Sequence, residues 1–566
     1  MSALLKILTP PQPAPQEAYA ASELRHYLNL MTAASFEITT EPDGPTISIA
    51  LDRALGEDAF TLKTLGEDIA VAGGGRGVIY GVYALLEELG CRFFTPTCEK
   101  IPSIPDLPLP QLDIAQKPAL EYRWHNYKDL AQYPRFAVKS RVNGTALPEE
   151  YGGGAPYAWF VHSFEREIIG PDEYFDAHPE YFSLVDGQRL RDFSQLCLTN
   201  PEVLEITVEK VRAALRKRPE CRIISVSQND CENPCECPAC AEIDEREESH
   251  AGSLIWFVNQ VAEQIEEEFP DVVVDTLAYM YTRKPPKSIR PRHNVCVRLC
   301  SIECCFAHSF ESCTCDDYVN FVDVNSNFVE DLRGWAKVCD RLYIWDYTTG
   351  FAHYPAPHAN WNALQPNMQC FAQNNVKGVF EQACSAHGGS TDLNELRAYL
   401  ICKLLWNPDC DIETHKREFC EYYYGEAAPH ILAYIDALTE KVERENIHTG
   451  FNDQCDKAYL IDDMLDLYEQ YFERAERAVL GDALRHVRVA KARLSLRWVR
   501  LKNTQMLRHE IEPEQINQFY ADWRAHGLTR IDEWVSAETT LRAFLDGKWR
   551  GTEYYRHWAD EGGERM

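Results

Sequence analysis

Four apolar runs in this chain each end abruptly on a carboxylate. Ile224-Ser225-Val226-Ser227 passes through Gln228 and Asn229 to Asp230, and Arg298-Leu299-Cys300-Ser301-Ile302 ends on Glu303. Leu342-Tyr343-Ile344-Trp345 ends on Asp346, and Val376-Lys377-Gly378-Val379-Phe380 ends on Glu381. Short runs of this kind read as buried strands that deliver polar groups at their C-terminal ends. Helical patterns separate them: Val203–Leu215, Leu254–Phe269, Phe328–Val338 and Trp361–Gln373. A further strand-like run, Val272–Tyr279, falls in the same series. Alternation of strand and helix implies parallel βαβ units. The predicted fold class is therefore α/β, a (β/α)8 TIM barrel, whose chemistry sits at the C-terminal rim of the strands.

The barrel is expected over residues 118–425, after a small α+β domain (1–112) and before a helical domain (426–566). In the first domain a helix is predicted over Gln16–Met31, a strand over Thr46–Leu51, and a second helix over Val78–Leu89 closed by Gly90. Gly73-Gly74-Gly75-Arg76-Gly77 lacks the spacing of a phosphate-cradling loop, so tight-turn geometry accounts for its glycines. Pro102, Pro105, Pro108 and Pro110 mark a stiff linker. The stretch Tyr459–Leu507 carries Leu, Tyr and Val at helical spacing among Arg and Glu.

A formal charge of −31 argues against nucleic acid or an anionic membrane surface as partner. No apolar stretch is long enough to span a bilayer, and no signal peptide is read at the start, so a cytoplasmic location is expected. The chain has 21 cysteines, ten of them between Cys231 and Cys315, and reduced thiols are the expectation in that setting. Cys231, Cys235, Cys237 and Cys240 offer four soft ligands suited to a structural zinc, against the alternative of thiols that simply pack. No cofactor is expected in catalysis.

Hydrolysis of a glycosidic bond needs a proton for the leaving oxygen and stabilisation of an oxocarbenium-like centre, and two carboxyl groups supply both. Asp230, Glu303, Asp346 and Glu381 are the candidates. Trp345 and Tyr347 flank Asp346, and Tyr279 and Tyr281 follow the Val272 strand; such rings suit the C–H faces of a sugar as well as ordinary packing. His162 and Asn229 are candidate hydrogen-bonding partners for sugar hydroxyls, with a core histidine the alternative at 162. Arg298, with Arg283 and Lys284, is a candidate for holding an acidic sugar.

Five motifs in order then carry a resemblance. They are Ser225-Val-Ser-Gln-Asn-Asp230 with the cysteines ending at Cys240, Tyr281-Thr-Arg-Lys-Pro-Pro286, Arg298 to Cys304, Tyr343-Ile-Trp-Asp-Tyr-Thr-Thr349, and Gly378-Val-Phe-Glu-Gln382. Over about residues 120–430 the chain resembles glycoside hydrolase family 163, which includes endo-β-N-acetylglucosaminidases acting on complex N-glycans. The stretch Ile79–Glu87 with Gly90–Phe94 resembles the small domain that precedes the barrel in hexosaminidases and α-glucuronidases. The resemblance implies retaining, substrate-assisted cleavage of a β-linked N-acetylglucosamine. Related hexosaminidases place adjacent Asp and Glu after the fourth strand, where this chain has Asn229-Asp230. The expected assignment makes Glu381 the proton donor and Asp230 the orienter of the acetamide, with Glu303 and Asp346 shaping the subsite. An inverting α-glucuronidase-like hydrolase and a catalytically silent glycan-binding protein are the alternatives.

Overall fold

The computed structural model describes residues 5–545, apart from 33, 108, 145–146, 316–317, 319–326, 385–387, 508 and 510. Pro108 of the expected linker thus lies outside the described residues. Strands β1 (Lys6–Leu8), β2 (Ile38–Thr39), β3 (Thr46–Leu51), β4 (Phe60–Leu65) and β5 (Asp68–Gly73) open the chain. After the hairpin of β6 (Arg92–Thr95) and β7 (Cys98–Lys100), β8 (Asp113–Gln116) joins them in a six-stranded sheet of order β2-β1-β3-β5-β4-β8. Helices Pro15–Thr32 and Gly77–Glu88 bury Leu24, Leu28, Val78, Val82 and Leu85 against it. The glycine turn is packed backbone to backbone. A Cβ on Gly74 would lie 1.6 Å from the Gly56 carbonyl oxygen, and one on Gly77 would lie 2.0 Å from that of Ala59. Arg76 in that turn is held by Asp58, so the cation is committed within the fold.

The second sheet is the frame of the molecule. Its strands are β9 (Tyr122–His125), β12 (Ile223–Ser225), β13 (Val273–Ala278), β14 (Val295–Cys300), β15 (Leu342–Tyr347) and β16 (Val376–Gln382). They are all parallel, in the order β12-β13-β14-β15-β16-β9, and curl into a half-barrel with helices outside. The short hairpin of β10 (Leu184–Val185) and β11 (Gln188–Arg189) lies in the long connection that leads to β12.

Among the described residues six regular strands, not the expected eight, form this sheet. Two irregular segments occupy the gap between its edges. Asn143 and Gly144 donate backbone N–H bonds to the Arg123 carbonyl (both 3.1 Å), and Ala155 N donates to the Asn143 carbonyl (2.7 Å). Ala158 N then donates to the Ile223 carbonyl (2.8 Å), and Ser225 N to that of Trp159 (3.0 Å). Glycines and β-breaking residues around Asn143-Gly144 and Gly152–Pro156 keep these segments from reading as strands.

Side chains alternate across a strand, so one inward residue fixes the rest. Arg298 of β14 points inward and is fully buried. Its Nε lies 3.3 Å from Asp275 of β13. Its guanidinium sits 5.4, 5.0 and 5.2 Å from the ring centroids of Tyr122, Tyr157 and Phe160, and 6.0 and 5.9 Å from those of Tyr343 and Trp345. The interior is therefore an ion pair wrapped in rings, and Arg298 is a core residue with no reach to the rim.

The helical region follows, from Asn394–Trp406 through Ile412–Tyr424, Ala428–Glu445, Asp462–Ala478 and Ala483–Met506 to Pro513–Ala525 and Ala537–Leu545. No helix among the described residues is long and apolar enough to cross a membrane. Removing one partner of a buried ion pair strands the other, at a cost of about 3–5 kcal/mol. Arg298→Met is thus expected to lower unfolding free energy in urea by that amount, and adding Asp275→Leu to restore most of it. Equal losses in the single and double variants would show that the pair does not govern the interior.

Candidate active site

Lumen-facing residues at the C-terminal rim follow from the same alternation. On β15 these are Tyr343, Trp345 and Tyr347; on β16, Gly378, Phe380 and Gln382. Phe380 lies edge-on to Trp345 (4.8 Å) and Phe160 (5.7 Å), and Gln382 Oε1 accepts the Trp345 indole N–H at 2.8 Å. Phe160 is 38% exposed, which puts the opening of the lumen at this end. Tyr347 stacks on Phe306 at 5.8 Å with the planes 2° apart, and continues the wall from Trp345 (6.4 Å).

The acids fall into three groups. Asp230, beyond β12, is exposed, and the Tyr279 hydroxyl donates to its Oδ1 at 3.0 Å. Glu303, beyond β14, is buried on Arg283 Nη1 at 2.7 Å, and that arginine also holds Asp331 at 2.7 Å. Asp346 and Glu381 are aligned across β15 and β16, and lie on the faces opposite Trp345 and Phe380. They point at the helix layer in a buried row with Ser301 and His125. The sequence rule that an acid ending a strand belongs to the rim fails here by one residue of register.

Burial pushes the Asp346 carboxyl up to about 6, while the Ser301 hydroxyl that donates to it pulls back. Burial, and next the charge of Asp346, push Glu381 well above the usual carboxylate range. Glu381 Oε2 has no hydrogen-bond partner among the described residues. His125, in line with Glu381, is pushed down to about 3 by burial and is neutral, so it offers no counter-charge.

One acid that the strand pattern did not mark reaches the lumen wall. Glu533 stands between the last two helices, and its Oε1 accepts from Gln382 Nε2 at 3.3 Å. Its other oxygen bonds the buried Tyr354 hydroxyl. Burial pushes its carboxyl up to about 8. The only sequence mark is the adjacency Asp532-Glu533-Trp534 in a segment whose surroundings read as helical. Asp532 itself is a structural acceptor for the Trp534 and Val535 backbone N–H groups, both at 2.9 Å.

The remaining candidates divide between rim and scaffold. His162 is half-buried in the left-handed region (φ 53°); its Nδ1 lies 2.8 Å from the Gln228 carbonyl. A carbonyl only accepts, so Nδ1 carries the hydrogen and Nε2 presents a lone pair. Its ring is 6.1 Å from that of Tyr279, beside Asp230. Asn229 is fully engaged in the scaffold. Its Oδ1 accepts from Glu165 N at 2.9 Å and its Nδ2 donates to the Ser194 carbonyl at 2.8 Å. Tyr281 is buried against His250 at 5.9 Å, behind the rim.

The cysteine quartet differs from expectation by one member. The sulfurs of Cys197, Cys235, Cys237 and Cys240 lie within 4.8 Å of one another. Cys231 is elsewhere, with its sulfur 3.3 Å from Gln195 Nε2. Cys197 stands 34 positions before Cys231, and the compact C-x3-C-x-C-x2-C string concealed it. Leu184 N and Arg189 Nη1 donate to Cys235, and Thr199 Oγ1 lies 3.2 Å from Cys240. Hydrogen bonds directed at sulfur are what thiolate ligands call for.

At the opposite end of the half-barrel a cavity of about 610 Å³ lies beneath Trp406, lined also by Glu87, Arg92, Arg141 and Lys403. Four of its charged side chains are paired. Glu87 binds Lys403 at 2.7 Å and also Arg141, and Arg92 binds Glu418 at 3.0 Å.

Residues 93–436, more than half of the chain, match a family described as Domain of unknown function (DUF4838). The chain belongs to this family. No curated protein matches it in sequence. Among solved structures it is similar to a family GH115 4-O-methyl-α-glucuronidase with specificity for decorated arabinogalactans. The TM-score is 0.60 at 12% identity, over 97% of this chain and 80% of the other. A GH138 enzyme targeting pectin rhamnogalacturonan II matches at a TM-score of 0.45 and 10% identity, over 99% and 98% of the two chains. A mutant Streptomyces plicatus β-hexosaminidase in complex with GlcNAc matches at 0.43 and 12%, over 76% and 91%. The fold is thus a mixed α/β fold of the kind found in glycoside hydrolases.

The helix-facing pair makes a pH prediction. In the unfolded chain both carboxyls ionise near pH 4, whereas the fold keeps Asp346 protonated to about 6 and holds Glu381 well above its usual range. The folded state therefore binds more protons over that interval. The stability that Asp346 contributes is fullest below about pH 4 and is lost as pH rises through about 6. Asp346→Asn is expected to make the fall in urea midpoint between pH 4 and 7 shallower. A fall as steep as in the parent protein would remove Asp346 from this role.

Proposed function

We propose that this protein is a glycoside hydrolase cleaving a β-linked N-acetylglucosamine by a retaining, substrate-assisted route. In this reading Glu533 is the proton donor and Asp230 orients the acetamide. The observation that carries it is a carboxyl held protonated up to about pH 8, one side chain removed from the Trp345 ring. A general acid must hold its proton at working pH, and burial is how a carboxyl does so. Asp230 is exposed at the end of β12, several strands away from Glu533 in the sheet order, and receives the Tyr279 hydroxyl. Between them Trp345, Tyr347 and Phe160 offer ring faces for the sugar and its methyl group.

In this scheme the bound acetamide oxygen attacks the anomeric carbon while the Glu533 proton passes to the leaving oxygen. Asp230 takes the hydrogen bond of the acetamide N–H and stabilises the positive charge that develops there. Water then opens the cyclic intermediate, with ionised Glu533 accepting its proton. His162 Nε2 is suited to accept from a sugar hydroxyl. The two irregular segments at Asn143 and Tyr157 are the second and third members of an eight-part barrel in the same reading, which makes β12 the fourth.

The uronic-acid alternative is less well supported. Arg283 is held by Glu303 and Asp331, and Arg298 by Asp275, so of the three cations read for it only half-buried Lys284 is left for a sugar carboxylate. We also assign a structural zinc to Cys197, Cys235, Cys237 and Cys240, where it would hold the loop that begins at Asp230.

A panel of aryl β-N-acetylglucosaminides, complex N-glycans and aryl glucuronides tests the reading. Cleavage is expected for the first two. Glu533→Gln is expected to lower kcat/KM on glycans by at least about a hundredfold, and less on aryl substrates whose leaving groups need little protonation. Glu381→Gln is expected to stay within a few-fold of the parent. Activity should fall as pH rises through about 8, when Glu533 loses its proton. A dead Glu381→Gln beside an active Glu533→Gln would return the acid to β16, and cleavage of glucuronides alone would discard the substrate.

A further inference from the structure

Beyond β14 the chain runs through a loop that carries Glu303, Cys305, Phe306, His308 and Cys313. Opposite it, in the segment after helix Ala428–Glu445, stands His448. One donor atom from each of Cys305, His308, Cys313 and His448 lies within 4.8 Å of the others. The Cys305 sulfur is 3.5 Å from His308 Nδ1, and the Cys313 sulfur 3.6 Å from His448 Nδ1. A tetrahedral zinc with bonds of about 2.3 Å to sulfur and 2.0–2.1 Å to nitrogen sets neighbouring ligand atoms about 3.3–3.8 Å apart, which matches these separations.

We infer a second structural zinc site in this protein, made by Cys305, His308, Cys313 and His448. Two soft thiolates and two imidazoles are the donor set that zinc takes. Both histidines turn the same nitrogen, Nδ1, towards the sulfurs, and their rings meet at 4.9 Å. His308 is 6% exposed, and its Nε2 has no hydrogen-bond partner among the described residues. His448 Nε2 lies 3.4 Å from Thr314 Oγ1, an outer contact of the kind that fixes a ligating ring. Cys315, 3.2 Å from the Cys313 sulfur, is a fifth donor beside the four. Binding displaces the two thiol protons to solvent, and no electron is exchanged.

Such an ion would clip the loop to the helical region across the barrel rim. Phe306 donates its backbone N–H to the Thr449 carbonyl at 2.8 Å, directly beside His448, and its ring backs Tyr347. The clip therefore holds one wall of the sugar pocket, a role that stands apart from which acid donates the proton.

The test is zinc per chain in protein purified without chelator, for the parent, His448→Ala and Cys240→Ser. His448→Ala should lose one equivalent, and Cys240→Ser should lose the other while keeping this one. No zinc in the parent, or an unchanged count in His448→Ala, overturns the site. Cobalt exchange into the parent protein reads the same question without a variant. A centre of two thiolates and two imidazoles absorbs at shorter visible wavelength than a centre of four thiolates. A spectrum holding only the four-thiolate bands therefore also overturns the site. Neither readout depends on turnover, so failure here is separable from failure of the proposed reaction.

Discussion

A single inward-facing cation sets the order of the half-barrel. Arg298 is fully buried, and it is held by Asp275 and a ring of aromatic faces. Desolvating a guanidinium is tolerable only with a carboxylate and π-faces in close array. Because strands alternate, that choice on β14 goes with Tyr343, Trp345 and Tyr347 inward on β15 and Phe380 inward on β16. Asp346 and Glu381 are then excluded from the lumen, whatever their distance from the strand ends. The interior thus decides which acids a bound sugar can meet.

With β15 and β16 offering rings in place of acids, the rim draws its carboxyls from elsewhere. Asp230 comes from the loop after β12, and Glu533 leans in from the last helices onto Gln382. Both proposed zinc sites lie on loops of this rim. One gathers the segment after Asp230, and the other ties the Glu303–Cys313 loop to the far side of the helical region. Loops that carry function need positioning by something stiffer than themselves.

Much of this architecture is visible in the sequence. The strand Thr46–Leu51 and the helix Phe328–Val338 have the bounds their patterns predict, and the five strands β12 to β16 all coincide with apolar runs. The glycine turn is explained by close backbone contact and not by the tight-turn geometry expected of it, since none of its glycines has a positive φ. Other features were hidden for physical reasons. β9 is only four residues long, and the segments at Asn143 and Tyr157 make too few ladder bonds to impose a two-residue period. The inward set on β15 is present in the sequence as Tyr343, Trp345 and Tyr347, three rings at spacing two, but the acid at 346 masks it. Cys197 and Glu533 lie too far along the chain from their partners for any spacing rule to connect them.

The contact between Gln382 and Glu533 joins a strand inside the family match to an acid outside it. The family match ends at residue 436, about a hundred positions before this glutamate. The scaffold strand thus lies within the matched stretch and the proposed acid beyond it. Members that look alike through the barrel need not share a chemistry, and classification by the shared stretch alone would group them regardless.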